Sequence, residues 1–133
     1  MHPEISALLV HLHPGTPGDS EDLTRLEAVA GFALPLEYRE FLAETNGGEG
    51  TVGEAYVQFW SVAQILELNP AYAVEEFAPG VVLIGSDGGD TAYGLIHETD
   101  KWNFVDVPFI GMSLSELTPH GESFAGFLRW LTG

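Results

Sequence analysis

Val81-Val82-Leu83-Ile84-Gly85-Ser86-Asp87-Gly88-Gly89-Asp90-Thr91-Ala92-Tyr93-Gly94-Leu95-Ile96 reads as one strand, a turn and a returning strand. Val81–Ile84 is a short apolar run of strand length. Gly85–Asp90 is a tight glycine-rich turn, and Thr91–Ile96 brings the chain back. Pro79-Gly80 turns the chain into this hairpin. A sheet is therefore predicted at the middle of the chain.

Upstream the period changes. Leu23, Leu26, Val29 and Ala30 recur at helical spacing. Asp19 or Ser20 is suited to cap that helix, Glu21 and Asp22 favour its first turn, and Gly31 closes it. Leu34-Pro35 begins a second helix, with Pro35 expected at the first helical position and Tyr38, Phe41 and Leu42 on its buried stripe. Asn46-Gly47-Gly48 stops it. Ala55–Trp60 has strand character on both alternating faces, and Ser61-Val62-Ala63-Gln64 resembles a capping box opening a short helix that ends near Asn69-Pro70. Tyr72–Phe77 fits no single period.

Downstream, His97–Asn103 reads as a polar loop, Phe104–Ile110 as another strand, and Ser113–Leu117 as a helical turn or loop. A last helix from about Glu122 carries Phe124, Phe127, Leu128 and Leu131 on one stripe. At the other end, Ile5–Leu12 suits a short helix, and His13–Gly18 is a linker by composition. The predicted architecture is one α+β domain over residues 19–133: a central mixed or mostly antiparallel sheet flanked by N-terminal and C-terminal helices. Residues 1–18 are predicted to be an extension and linker.

Twenty acidic residues face four basic ones among 133, a formal charge of -16. Eleven Asp/Glu and no Lys or Arg lie between Glu40 and Asp100. Nucleic acid and anionic membrane surfaces repel such a chain, so neither is an expected partner. With no cysteine there is no disulfide framework and no thiolate site. The start, Met1-His2-Pro3-Glu4, lacks the positive charge of a signal peptide, and Ile5–Leu12 is too short to span a bilayer. A cytoplasmic location is expected.

Three pieces, taken in order, resemble one family: Leu34-Pro35-x-x-Tyr38-x-x-Phe41-Leu42-x-x-x-Asn46-Gly47-Gly48; then Phe59-Trp60-Ser61-Val62; then Val82–Asp90 with Tyr93 after it and a closing Ser123-Phe124-x-x-Phe127-Leu128. Together they look like the SUKH superfamily, the domain of the fungal Smi/Knr cell-wall regulators, over about residues 20 to 131. The resemblance implies a central sheet with helices packed around it. It also implies a non-catalytic protein-binding role, since most bacterial members look like immunity proteins that neutralise a toxin domain, often a nuclease. Many relatives carry a third glycine and then an acid after Asp-Gly-Gly. Here Asp90 and Thr91 stand there, so nothing assigned to that acid carries over.

Each chemical motif has a plain structural reading beside it. The carboxylates of Asp87 and Asp90 suit a partner contact, or a turn whose Asp residues bond local amides. The loop is not an EF-hand, because its alternating oxygen ligands and closing Glu are missing. His97-Glu98-Thr99-Asp100 has Lys101 where a zincin needs its second His. His11-x-His13 lacks a supporting third ligand, so no metal is expected. Gly111-Met112-Ser113-Leu114-Ser115 misses the second glycine of a nucleophile elbow, and no phosphate loop is present. No cofactor is expected.

The leading expectation is capture of a cognate basic toxin protein by an acidic face, with Tyr56 and Trp102 as anchors and Glu49, Glu54, Asp87, Asp90, Glu98 and Asp100 as charges. Trp102 suits loop anchoring equally well. The charges are expected to share one face near the glycine turn. The competing readings are a regulatory scaffold of the Smi/Knr type, and a small acidic hydrolase working through Asp87, Asp90 or His97.

Overall fold

The computed structural model describes residues 1–17 and 20–133. Its helices are α1 (Pro3–Leu8), α2 (Ser20–Ala30), α3 (Leu36–Thr45), α4 (Val62–Ala71), α5 (Val74–Phe77) and α6 (Phe124–Leu131). The strands are β1 (Leu12–Pro14), β2 (Gly48–Val52), β3 (Ala55–Phe59), β4 (Val81–Ser86), β5 (Thr91–Glu98), β6 (Lys101–Pro108) and β7 (Thr118–Pro119). They form one sheet in chain order, and every neighbouring pair is antiparallel. The α+β architecture expected from the sequence is thus present, with an antiparallel sheet.

Aromatic residues join the layers. Tyr38 and Phe41 come from α3, Phe59 from β3, Phe104 from β6, and Phe124 and Phe127 from α6. Phe124 lies 5.1–5.8 Å, centroid to centroid, from Tyr38, Phe41, Phe59 and Phe104. Such edge and tilted contacts add to the burial gain of each ring. The periodic positions on α3 and α6 therefore became one core through a single sheet face.

The N-terminal segment packs against the domain and contributes to this core. Ile5 of α1 is fully buried, and Leu12–Pro14 pairs with Gly50–Gly48 of β2. Pro14 cannot donate to a further strand, which suits its place on the sheet edge. The possible cap Asp19 lies outside the described residues, and Ser20 is the first residue of α2. Pro35 is the N-cap of α3, one position before its expected place.

Local signals explain several joints. Asn46 takes the left-handed conformation (φ 50°) after α3, and its Oδ1 accepts the Val62 N–H at 2.9 Å, tying the end of α3 to the start of α4. Gly47 follows at φ 82°, where an added Cβ would lie 2.5 Å from the Phe59 carbonyl oxygen. Ser61 and Gln64 complete the capping box on α4.

β3 pairs with β4 through Gln58–Ser86 and Phe59–Gly85, and the Trp60 N–H donates to the Ile84 carbonyl at 2.8 Å. Beyond that point the Asn69 side chain replaces a strand: Oδ1 accepts the Leu83 N–H at 2.8 Å and Nδ2 donates to the Leu83 carbonyl at 2.9 Å. Asn69→Ala leaves both groups without that partner. A loss of about 2 kcal/mol is expected in urea unfolding; a loss below about 0.5 kcal/mol would show that these bonds do not hold the edge.

Candidate functional site

The register sets a polar row across one face of the sheet. His13 of β1 faces Glu49 of β2, Glu49 faces Gln58 of β3, and Gln58 faces Ser86 of β4. Side chains directly opposite in an antiparallel pair share a face. The alternate residues Val52, Val57 and Phe59 point into the core, so this polar row is the outer face. This face of β3 is not covered along its whole length: Tyr56 is 42% exposed.

The row is the floor of an open cleft of about 1100 Å³. One wall is the first face of α4, with Ser61, Gln64, Leu68 and Tyr72. Gly88, Gly89 and Asp90 of the glycine turn and Phe109 and Ile110 also border it. Phe109 is held beside the turn because its N–H donates to the Asp90 carbonyl at 2.9 Å.

Glu49 is oriented by its neighbours. Tyr56 Oη donates to Glu49 Oε2 at 2.7 Å, and Gln58 Nε2 donates to Tyr56 Oη at 3.0 Å. The Tyr56 ring lies against Gly88, where an added Cβ would come within 2.8 Å of Cε2 and φ is +84°. Glycine at this position therefore serves both the turn and the close approach of a neighbouring ring.

Asp87 and Asp90 have different roles. Asp87 Oδ1 accepts the N–H groups of Gly89 (2.8 Å) and Thr91 (3.2 Å), as an Asx turn does. Its carboxylate organises the hairpin. Asp90 is exposed and borders the cleft.

The remaining expected residues lie elsewhere. Glu98 and Asp100 are at the far end of β5, whose eight residues span roughly 25 Å. His97–Asn103 is not a loop: β5 and β6 continue to Glu98 and from Lys101, leaving Thr99 and Asp100 as a two-residue turn at φ 51° and 60°. Trp102 is thereby on a strand, 9% exposed, and its indole N–H donates to the Ala33 carbonyl at 2.6 Å. It anchors the α2–α3 connection and is not a free surface anchor. Glu54 sits in the β2–β3 turn, at the same end of the sheet as the glycine turn, but does not line the cleft. The six acids do not all line the cleft: Glu49 and Asp90 border it, Asp87 braces its turn, Glu54 is in the neighbouring turn outside the lining, and Glu98 and Asp100 are at the opposite end of the sheet.

The hydrolase constellation is also dispersed. His97 stacks on Phe32 with centroids 3.7 Å apart, at the opposite end of β5 from Asp87 and Asp90. A different pair does meet: His120 Nε2 and Asp106 Oδ2 are 2.6 Å apart, and the imidazole stacks on Trp130 at 3.5 Å. That pair ties β6 and the segment before α6 to the end of α6. Beside it, burial and then the charges of Asp87 and Asp106 push the Tyr93 hydroxyl up to about 12. Among the described residues, no three His, Asp or Glu side chains are grouped to hold a metal ion.

The sequence reading missed the apolar side of the cleft. Tyr72 stacks in parallel on the buried Trp60 (6.3 Å, 8°) and tilts against Phe109 at 4.9 Å. Ile110 is 89% exposed. Pro108 carried the signal: it ends β6, and beyond it Phe109 is half-buried while Ile110 stays on the surface.

The domain model of the SMI1/KNR4 family (SUKH-1) matches residues 17–130. The chain belongs to this family. It is also similar to the Bacillus subtilis (strain 168) "Uncharacterized protein YnaB", with 33% identity over 73 residues. That stretch is 55% of this chain and 46% of the relative, so the match spans about half the length of each. The family match begins at residue 17, after β1, although α1 and β1 pack into the same SUKH fold. Among the described residues no helix is long and apolar enough to cross a membrane.

Proposed function

We propose that this SUKH-1 protein is a non-catalytic, cytoplasmic binding protein of the toxin-immunity type, and that its cleft receives a basic surface of a cognate toxin domain. One observation carries the reading: an open concave face combines exposed Tyr72 and Ile110 with the carboxylates of Glu49 and Asp90, and no Lys or Arg borders it. All four cationic side chains are engaged elsewhere, in the pairs Arg25–Asp22, Arg39–Glu27, Lys101–Glu122 and Arg129–Glu4. The field at the cleft is therefore negative, which speeds encounter with a cationic partner and repels polynucleotides. Apolar anchors supply most of the lasting affinity in such contacts. A nuclease toxin fits because it must carry cations to hold phosphates.

The test is co-expression with the toxic product of an adjacent gene, followed by binding measured over a salt series. The wild-type chain restores growth and binds more weakly as salt rises. Tyr72→Ala with Ile110→Ser weakens binding about 100-fold, about 2.7 kcal/mol, chiefly through faster dissociation. Glu49→Gln with Asp90→Asn mainly slows association and flattens the salt dependence. Unchanged affinity in the Tyr72/Ile110 variant would remove the cleft from the interface. Absence of growth rescue, with binding to an endogenous envelope or signalling protein instead, would favour the regulatory scaffold.

A further inference from the structure

α4 divides the cleft from a second depression. Its residues Ile65, Leu66 and Asn69 face away from the cleft and, with Ala73 before α5, line a groove of about 810 Å³ between α2, α5 and the first residues of β4. Leu26, Ile65, Val74 and Val81 form a buried apolar floor. Val29 extends the apolar stripe of α2 onto the rim, where it is 72% exposed. The groove exists because β3 pairs with only the last residues of β4, leaving the first half with β5 on one edge and no strand on the other.

Two features define what fits. The Leu83 backbone, the part of that β4 edge nearest α4, is already bonded on both N–H and C=O by Asn69. An added strand would need those groups, whereas a helix satisfies its own backbone and presents only side chains. The charged residues lining the groove are Glu75 and Glu76, and no Lys or Arg is among its lining. A second copy of this chain would bring a net charge of -16 onto that acidic rim, with its four basic side chains already paired.

We propose that the groove docks the apolar face of an amphipathic helix flanked by Lys or Arg and supplied by another protein. The apolar residues of that helix fill the floor beside Leu26 and Val81, and its basic flank meets Glu75 and Glu76. This surface does not depend on the cleft reading, since the two lie on opposite sides of α4.

The experiment is an amide-shift titration of the full-length, isotope-labelled chain with a synthetic helix of about 14 residues, about four turns. The peptide carries Leu at i, i+3, i+4 and i+7 and Lys at both ends. A control replaces each Lys with Glu. The expected result is saturable shifts confined to α2, α4, α5 and the start of β4, with the Glu peptide at least about tenfold weaker. Val29→Asp abolishes the shifts, while Ile110→Ser in the cleft leaves them intact. Equal binding of the two peptides, shifts mapping to the cleft, or no shifts at all would overturn the proposal. So would concentration-dependent dimerisation blocked by Val29→Asp, which would make the occupant a second copy.

Discussion

Phe124→Ala is expected to cost about 4 kcal/mol of folding stability, a large part of the roughly 5–15 kcal/mol that holds a domain together. Phe124 is fully buried where α3, β3, β6 and α6 converge, and it contacts four other aromatic rings. Truncation loses the transfer energy of the ring and leaves a cavity that four rigid neighbours cannot readily fill. Urea unfolding should show a lower midpoint with little change in slope. Phe124→Leu retains most of the volume and should lose less than half as much. If the alanine variant lost less than about 1 kcal/mol, α6 would not be closing the core as described.

The second large effect is alkaline. Burial pushes the Tyr38 hydroxyl far above the ordinary tyrosine range, and Tyr93 is pushed up to about 12. Both phenols stay protonated in the native state where the unfolded chain, with pKa near 10, has released its protons. The stability they contribute is complete below about pH 10 and falls above it, because the unfolded state then binds fewer protons. Tyr38 alone lowers stability progressively as pH rises through this window, by about 2 kcal/mol between pH 10 and 12. Tyr93 steepens the decline over the same window. Urea midpoints measured from pH 8 to 12 test this.

Tyr38→Phe isolates the first contribution. Tyr38 Oη is buried and has no hydrogen-bond partner among the described residues. Removing it should leave stability at pH 7 unchanged or raise it by up to about 1 kcal/mol, and should flatten the alkaline decline. Destabilisation at pH 7 would reveal a hydroxyl partner and would weaken the pH argument with it.

Much of the fold was legible because its signals are local. The αL stop at Asn46, the capping box of Ser61 and Gln64, and the hairpin around Asp87–Asp90 each depend on residues a few positions apart. The candidate site was legible only in part. Glu49, Tyr56 and Asp90 were identifiable as charged or aromatic positions on sheet and turn. Tyr72, Phe109 and Ile110 became a surface only when the Asp90 carbonyl and the Trp60 ring held them in place. Trp102 was misplaced for the same kind of reason. Its polar neighbours suggest a loop, but the pairing of His97 with Trp102 extends both strands and turns the indole toward Ala33.

By itself, the sequence determined the class of the domain, the membership that its ordered motifs spell out, and the net charge of -16. Those properties follow from periodicity, turn chemistry and summed charge, none of which needs distances between remote residues. Tertiary structure decided which acids stand together. Charges spread along a chain acquire a common face only through strand register and turn position, and here β5 carries Asp90 and Glu98 to opposite ends of the sheet. It also decided where apolar residues remain exposed, because that depends on which helix covers which strand. The acidity is therefore a property of the whole chain, while the recognition proposed for the cleft and groove rests on the few carboxylates that tertiary packing sets beside exposed apolar side chains.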